Sequence, residues 1–111
     1  MIEFSPKDYL SGVLPTLIDC HAFVNEKLPV VIQFQLLDQD DVSYFLTIGK
    51  DGVAVGKGVS DQVDLTLGFF TAELLAFSKG ELDGETAIRE GRLRVYGDEK
   101  WLLHLARSVA E

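Results

Sequence analysis

Residues able to do chemistry are few in this chain, and they stand apart from one another. Cys20 and His21 are adjacent, and a thiol beside an imidazole could in principle supply a nucleophile and its base. They fall in a stretch with helical spacing, where neighbours point about 100° apart, so the side chains diverge. The pair reads as a small core cysteine beside a surface histidine. His104 is the other histidine, and it falls on a polar stripe; without His-x-x-x-His or carboxylate spacing, no metal centre is expected. Residues 52–58, Gly-Val-Ala-Val-Gly-Lys-Gly, contain the residue types of a phosphate-binding loop but not its spacing. That motif needs a glycine, four residues, then Gly-Lys-Ser/Thr, and here position 51 is Asp and position 58 is Gly. The glycines read instead as bends in twisted, edge-like strands.

Carboxylates are plentiful, but Asp38, Asp40, Asp41, Asp51, Asp61, Asp83 and Asp98 all fall at turns or helix caps, which explains them without a reaction. An acid–base enzyme needs a carboxylate inside an apolar pocket. Asp64 and Glu73 alone stand close enough to apolar elements to be considered, and each has an ordinary surface reading. No catalytic residue is assigned, no cofactor is implied, and the chain reads as a non-enzyme.

The bulk composition narrows the partners. At 111 residues the chain is expected to form a single domain over 1–111, and 47% apolar with 25% charged residues is ordinary for a globular protein. The formal charge of −8 disfavours nucleic acid and stable docking on anionic membranes. One cysteine excludes an internal disulfide and fits a reducing compartment. With no signal peptide pattern and no apolar run long enough to span a bilayer, the expected location is the cytoplasm.

The elements that would position any site follow from periodicity. Ser5 and Pro6 open a helix, and Tyr9, Leu10, Val13, Leu14, Leu17 and Ile18 keep its spacing. Pro15 must kink or split this pattern, which reads as two helices, about 6–13 and 16–27, with Pro29 closing the second. From Val30 the period becomes two, predicting strands over 30–37, 43–49, 53–55 and 63–69, joined as a meander, with Asp51-Gly52 as a hairpin turn. A helix over 71–80 has Thr71 as its expected cap and Gly80 as its end; Phe70, Leu74 and Phe77 share one side. A short helix over 85–90, a fifth strand over 92–96 and a final helix capped by Asp98 complete the chain. Segregated strands and helices predict an α+β fold, a five-stranded mostly antiparallel sheet with helices on one face.

The final helix is unusually apolar. Trp101, Leu102, Leu103, Leu105, Ala106, Val109 and Ala110 cover roughly 200° of its wheel, against about 100° for an ordinary surface helix. That surplus must cover a core, a partner chain or an apolar ligand held in a cavity between sheet and helices.

Four stretches in order carry a resemblance: 52–58, then Asp64-Leu-Thr-Leu, then Leu74-Leu-Ala-Phe-Ser-Lys-Gly80, then Gly91-Arg-Leu-Arg-Val-Tyr-Gly-Asp98. Together, over about residues 30–109, the chain resembles the sterol carrier protein lipid-transfer family. The resemblance implies a sheet and helices enclosing an apolar tunnel for a fatty acyl chain, an isoprenoid or a sterol-like lipid, and no catalytic residues. By position it places Leu65 and Leu67 on the tunnel side, Leu74 and Phe77 on a helical wall, and Trp101, Leu102 and Leu105 on the closing helix. Phe34, Leu46 and Ile48, from the inward strand rows, and Phe70 complete the candidate ligand-binding set. Phe69-Phe70 departs from the family, which commonly has Met and a polar cap there, and the acidic surface contrasts with the basic eukaryotic carriers. The expected partner is an apolar small molecule or lipid. The alternative is a homodimeric interaction or enzyme-accessory module whose apolar C-terminal helix is an interface.

Overall fold

A computed structural model describes residues 5–18, 29–39, 42–81, 83–98 and 100–101. The first helical segment comprises α1 (Pro6–Asp8), a π-helical turn (Tyr9–Val13) and α2 (Leu14–Leu17). The Ser5 hydroxyl caps it, accepting the Asp8 N–H at 3.3 Å. Pro15 does not split the helix as predicted. The turn before it widens, so that the Leu14 N–H bonds the Tyr9 carbonyl five residues back. Widening moves backbone carbonyls away from the proline ring, whose clash and missing N–H otherwise break a regular helix. α2 ends at Leu17, and Ile18 is extended (φ −78°, ψ 122°); residues 19–28, which hold most of the predicted second helix, lie outside the described ones.

Five strands form one sheet: β1 (Val30–Leu36), β2 (Ser43–Gly49), β3 (Gly52–Lys57), β4 (Leu65–Phe69) and β5 (Leu93–Gly97). Their order is β3-β2-β1-β4-β5, with three antiparallel pairs and one parallel pair, β1 with β4. The fold is α+β with a mostly antiparallel sheet, as the sequence predicts. The four-strand meander is corrected. Beyond β3 the chain crosses back over β2 and β1, and β4 inserts beside β1. Burial explains the choice. Beside β3, β4 would neighbour a strand whose residues are all exposed or half-buried. Beside β1, its Leu65, Leu67 and Phe69 stand in register with Ile32, Phe34 and Leu36, and both rows are buried.

The crossing segment is held by a glutamine that points away from the helices. Gln33 is 1% exposed; its Nε2 donates to the carbonyls of Gly58 (2.9 Å) and Tyr44 (3.2 Å), and its Oε1 accepts the Ser60 N–H (2.9 Å). On the same outer face the Phe45 ring lies over Gly56, where a Cβ would collide with it. Gly97 ends β5 at φ +117°, its α-carbon facing the Asp64 carbonyl so closely that a side chain is excluded.

Helices α3 (Thr71–Ser78) and α4 (Gly84–Arg89) follow β4. Thr71 is not the cap of α3. It occupies the first helical position, and Asp38, from the loop after β1, accepts both its N–H (3.1 Å) and its hydroxyl (3.0 Å). A carboxylate distant in sequence thus does the work predicted for the local hydroxyl, and it ties the start of α3 to the end of β1. Asp83 caps α4 through the Thr86 N–H (3.2 Å) and hydroxyl (2.7 Å).

Candidate functional site

Alternation sends one row of each strand toward the helices. Val30, Ile32, Phe34 and Leu36 on β1, Leu46 and Ile48 on β2, Leu65, Leu67 and Phe69 on β4, and Leu93 on β5 form a single buried cluster with Tyr9, Leu10, Leu14, Ile18, Leu74, Ala87 and Trp101. Tyr44, Val53, Phe77, Ile88 and Val95 pack against it, partly buried. The layer between sheet and helices is therefore filled by apolar side chains from all five strands and from the π-helical turn, α2, α3 and α4.

Aromatic rings run through this layer from the sheet to the first helix. Phe34 stacks on Phe69 at 6.4 Å with planes 10° apart, Phe69 meets Phe77 at 5.7 Å and 51°, and Phe77 meets Tyr9 edge-on at 6.5 Å and 82°. Burial pushes the Tyr9 phenol pKa above its ordinary value. Ring contacts of this kind hold shape without fixed directional partners.

The candidate residues are placed as follows. Phe34, Leu46, Ile48, Leu65, Leu67, Leu74 and Trp101 belong to the buried cluster, and Phe77 packs on it. Phe70 is half-buried just before α3 and stands outside that cluster; its neighbour Phe69 is in it. Phe69 continues the Leu65–Leu67 row, a parity signal already present in the sequence and outweighed there by assigning Phe70 to the helix face. Trp101 carries the Lys100 ammonium 4.7 Å from its ring centroid, and Asp98 accepts the Lys100 N–H at 3.0 Å. Leu102 and Leu105 lie outside the described residues, as do Cys20, His21 and His104.

The two carboxylates weighed as acids or bases both have structural partners. Asp64 accepts the Val31 N–H at 2.9 Å, joining the start of β1 to the approach to β4. Glu73 is 3.4 Å from Arg92, which also holds Glu90 at 2.7 Å; the Glu90 hydrogen bond, with a smaller contribution from Glu73, keeps the guanidinium pKa raised. Among the described residues no three His, Cys, Asp or Glu side chains gather to hold a metal. No helix among them is long and apolar enough to cross a membrane.

This apolar layer lies between one sheet face and the first helical segment, α3 and α4, and the sequence that builds it matches a known family. The model of the SCP-2 sterol transfer family fits residues 23–109. The chain belongs to that family. No curated protein matches it in sequence. Among solved structures, the stereoselective inverting sec-alkylsulfatase Pisa1 from Pseudomonas sp. superposes with a TM-score of 0.81 at 19% identity over 97% of this chain. The chain spans 17% of that sulfatase's length. A ubiquinone synthesis protein, UbiJ-SCP2, gives 0.71 at 19% identity, covering 98% of this chain and 93% of its own. Sterol carrier protein 2 like 2 from Aedes aegypti gives 0.65 at 19% identity, covering 92% and 91%. These likenesses establish the fold: the five-stranded sheet and its helices are those of a sterol carrier domain.

Proposed function

We propose that this chain binds an apolar ligand, a fatty acyl chain, an isoprenoid or a sterol-like lipid, between the inner face of its sheet and its helices. The observation that carries the reading is the family match over residues 23–109. The continuous buried apolar cluster from β1, β2, β4, α3 and Trp101 supports it. So does a solved relative: the Aedes aegypti SCP2L2 protein is described as palmitated. The ligand would contact Phe34, Leu46, Ile48, Leu65, Leu67, Leu74, Phe77 and Trp101, with Phe70, Leu102 and Leu105 at the margins.

Binding of this kind runs on burial. Each methylene removed from water contributes about 0.8 kcal/mol, so an acyl chain offsets the cost of ordering itself without any directional contact. A protein that carries its ligand by burial needs no reacting group, and none of the described side chains is arranged as one.

Native mass spectrometry of protein purified without detergent, followed by solvent extraction, tests the proposal. A mass increment matching an extractable lipid, together with saturable uptake of the neutral dye Nile red displaced by added lipid, is the expected result. An unmodified mass with no dye uptake would overturn it.

A further inference from the structure

The inner face of the sheet is not apolar to its end. Tyr44 and Lys57 lie directly opposite each other across β2 and β3. Parity puts both in the inward rows, Tyr44 beyond Leu46 and Ile48, Lys57 beyond Val53 and Val55. Tyr44 packs against the core and brings a hydroxyl to its margin. Lys57 is exposed and makes no hydrogen bond or ion pair among the described residues, in a chain with 18 carboxylates against 10 basic side chains. An ammonium with no acid paired to it among the described residues, in so acidic a protein, is a binding group in waiting.

The surface leading to it is apolar. Val55 is 39% exposed, although it lies in an inward row. The π-helical turn and α2 pack on β3, and they contribute Val13 and Leu17, 46% and 48% exposed. Three large apolar side chains thus stay in water on β3 and on the helical turns that pack against it.

Resting on the lipid-binding reading above, we propose that Lys57 and Tyr44 form the head-group subsite for a long-chain carboxylate. The carboxylate pairs with the Lys57 ammonium and accepts the Tyr44 hydroxyl proton, while the chain enters past Val55 toward Leu46 and Ile48. Charge complementarity selects the occupant. A charge-assisted pair is stronger than a neutral hydrogen bond, so an acid is preferred over an alcohol with the same chain. An anionic amphiphile suits this end because the surrounding negative field repels anions everywhere that lacks such a cation.

The test compares oleate with oleyl alcohol as competitors of Nile red, using the whole chain and its Lys57→Met, Lys57→Arg and Tyr44→Phe variants. Wild type should bind oleate about tenfold more tightly than oleyl alcohol, in line with one hydrogen bond to a charged group. Lys57→Met should abolish that preference while leaving oleyl alcohol affinity unchanged, Lys57→Arg should restore it, and Tyr44→Phe should reduce it about threefold. Raised salt should weaken oleate binding selectively. Equal affinities in wild type, or a preference that survives Lys57→Met, would overturn the subsite while leaving lipid binding intact. If Lys57→Met weakens both ligands alike, the lysine is structural and the subsite fails. If neither ligand displaces the dye and no lipid is extracted, the broader reading falls as well.

Discussion

The two faces of the sheet are made by different physics. The inner face is held by apolar burial: Ile32, Phe34, Leu65 and Leu67 are fully buried, and their contacts have no required direction. The outer face is held by directional bonds. Gln33 satisfies two carbonyls and one N–H, and the close fit of Phe45 over Gly56 takes the place of a side-chain interlock. The first kind of contact can be exchanged for contact with another apolar molecule at little cost, because a methylene does not distinguish a leucine from a lipid. The second kind cannot be exchanged without leaving polar groups unpaired. Under the proposed lipid-binding function, the outer face would keep the strand order while the inner face accommodates the ligand.

That contrast can be broken most forcefully at Phe69. It bridges Phe34 and Phe77, so Phe69→Ala should cost about 3–5 kcal/mol of stability if the ring is pure packing, measured by urea denaturation. A substantially smaller loss with altered dye uptake would mean that the inner face already tolerates foreign apolar matter there. Gln33→Leu comes next. It keeps the volume and removes the side-chain hydrogen bonds of Gln33, so it should cost about 1–3 kcal/mol and speed amide exchange at Ser60. Unchanged exchange at Ser60 would show that the crossing segment is held by other means.

The smallest effect is expected at Asp83, which brings a directional contact to the helical side. The Thr86 hydroxyl, then the Thr86 N–H, lower the Asp83 pKa below that of a free aspartate. A depressed carboxylate pKa stabilises the folded state above the unfolded pKa, and that contribution disappears as pH falls through the folded value. Asp83→Ala should therefore lower the denaturation midpoint slightly at neutral pH and converge with wild type in acid. A difference that persists at the acid end would point to the lost hydroxyl geometry instead of the charge.

Much of this was legible in the residues. The alternation in 30–36 and 65–69 marks the inward rows, and Gly80, with φ +71°, ends α3 where its type predicts. Asp98 caps the turn into Lys100 and Trp101 as expected. Three features were not legible. The place of β4 depends on which neighbour buries more, a comparison between segments some thirty residues apart. Capping of α3 by Asp38 depends on that same placement, since only a β4 beside β1 brings the loop after β1 to Thr71. The continuity of the helix past Pro15 turns on one widened turn, which propensity does not encode.

What the sequence determined by itself was therefore local or cumulative: periodicity, turn chemistry, the acid excess, the failure of every catalytic spacing, and the ordered stretches shared with the sterol carrier family. These depend on residue type and on neighbours within a few positions. Only the tertiary structure decided strand order, the partners of Gln33 and Asp38, and the meeting of Tyr44 with Lys57 at the end of the inner rows. The reason is physical. Burial is a property of the whole packed layer, and a polar group's partner is set by whichever distant backbone that packing brings within about 3 Å.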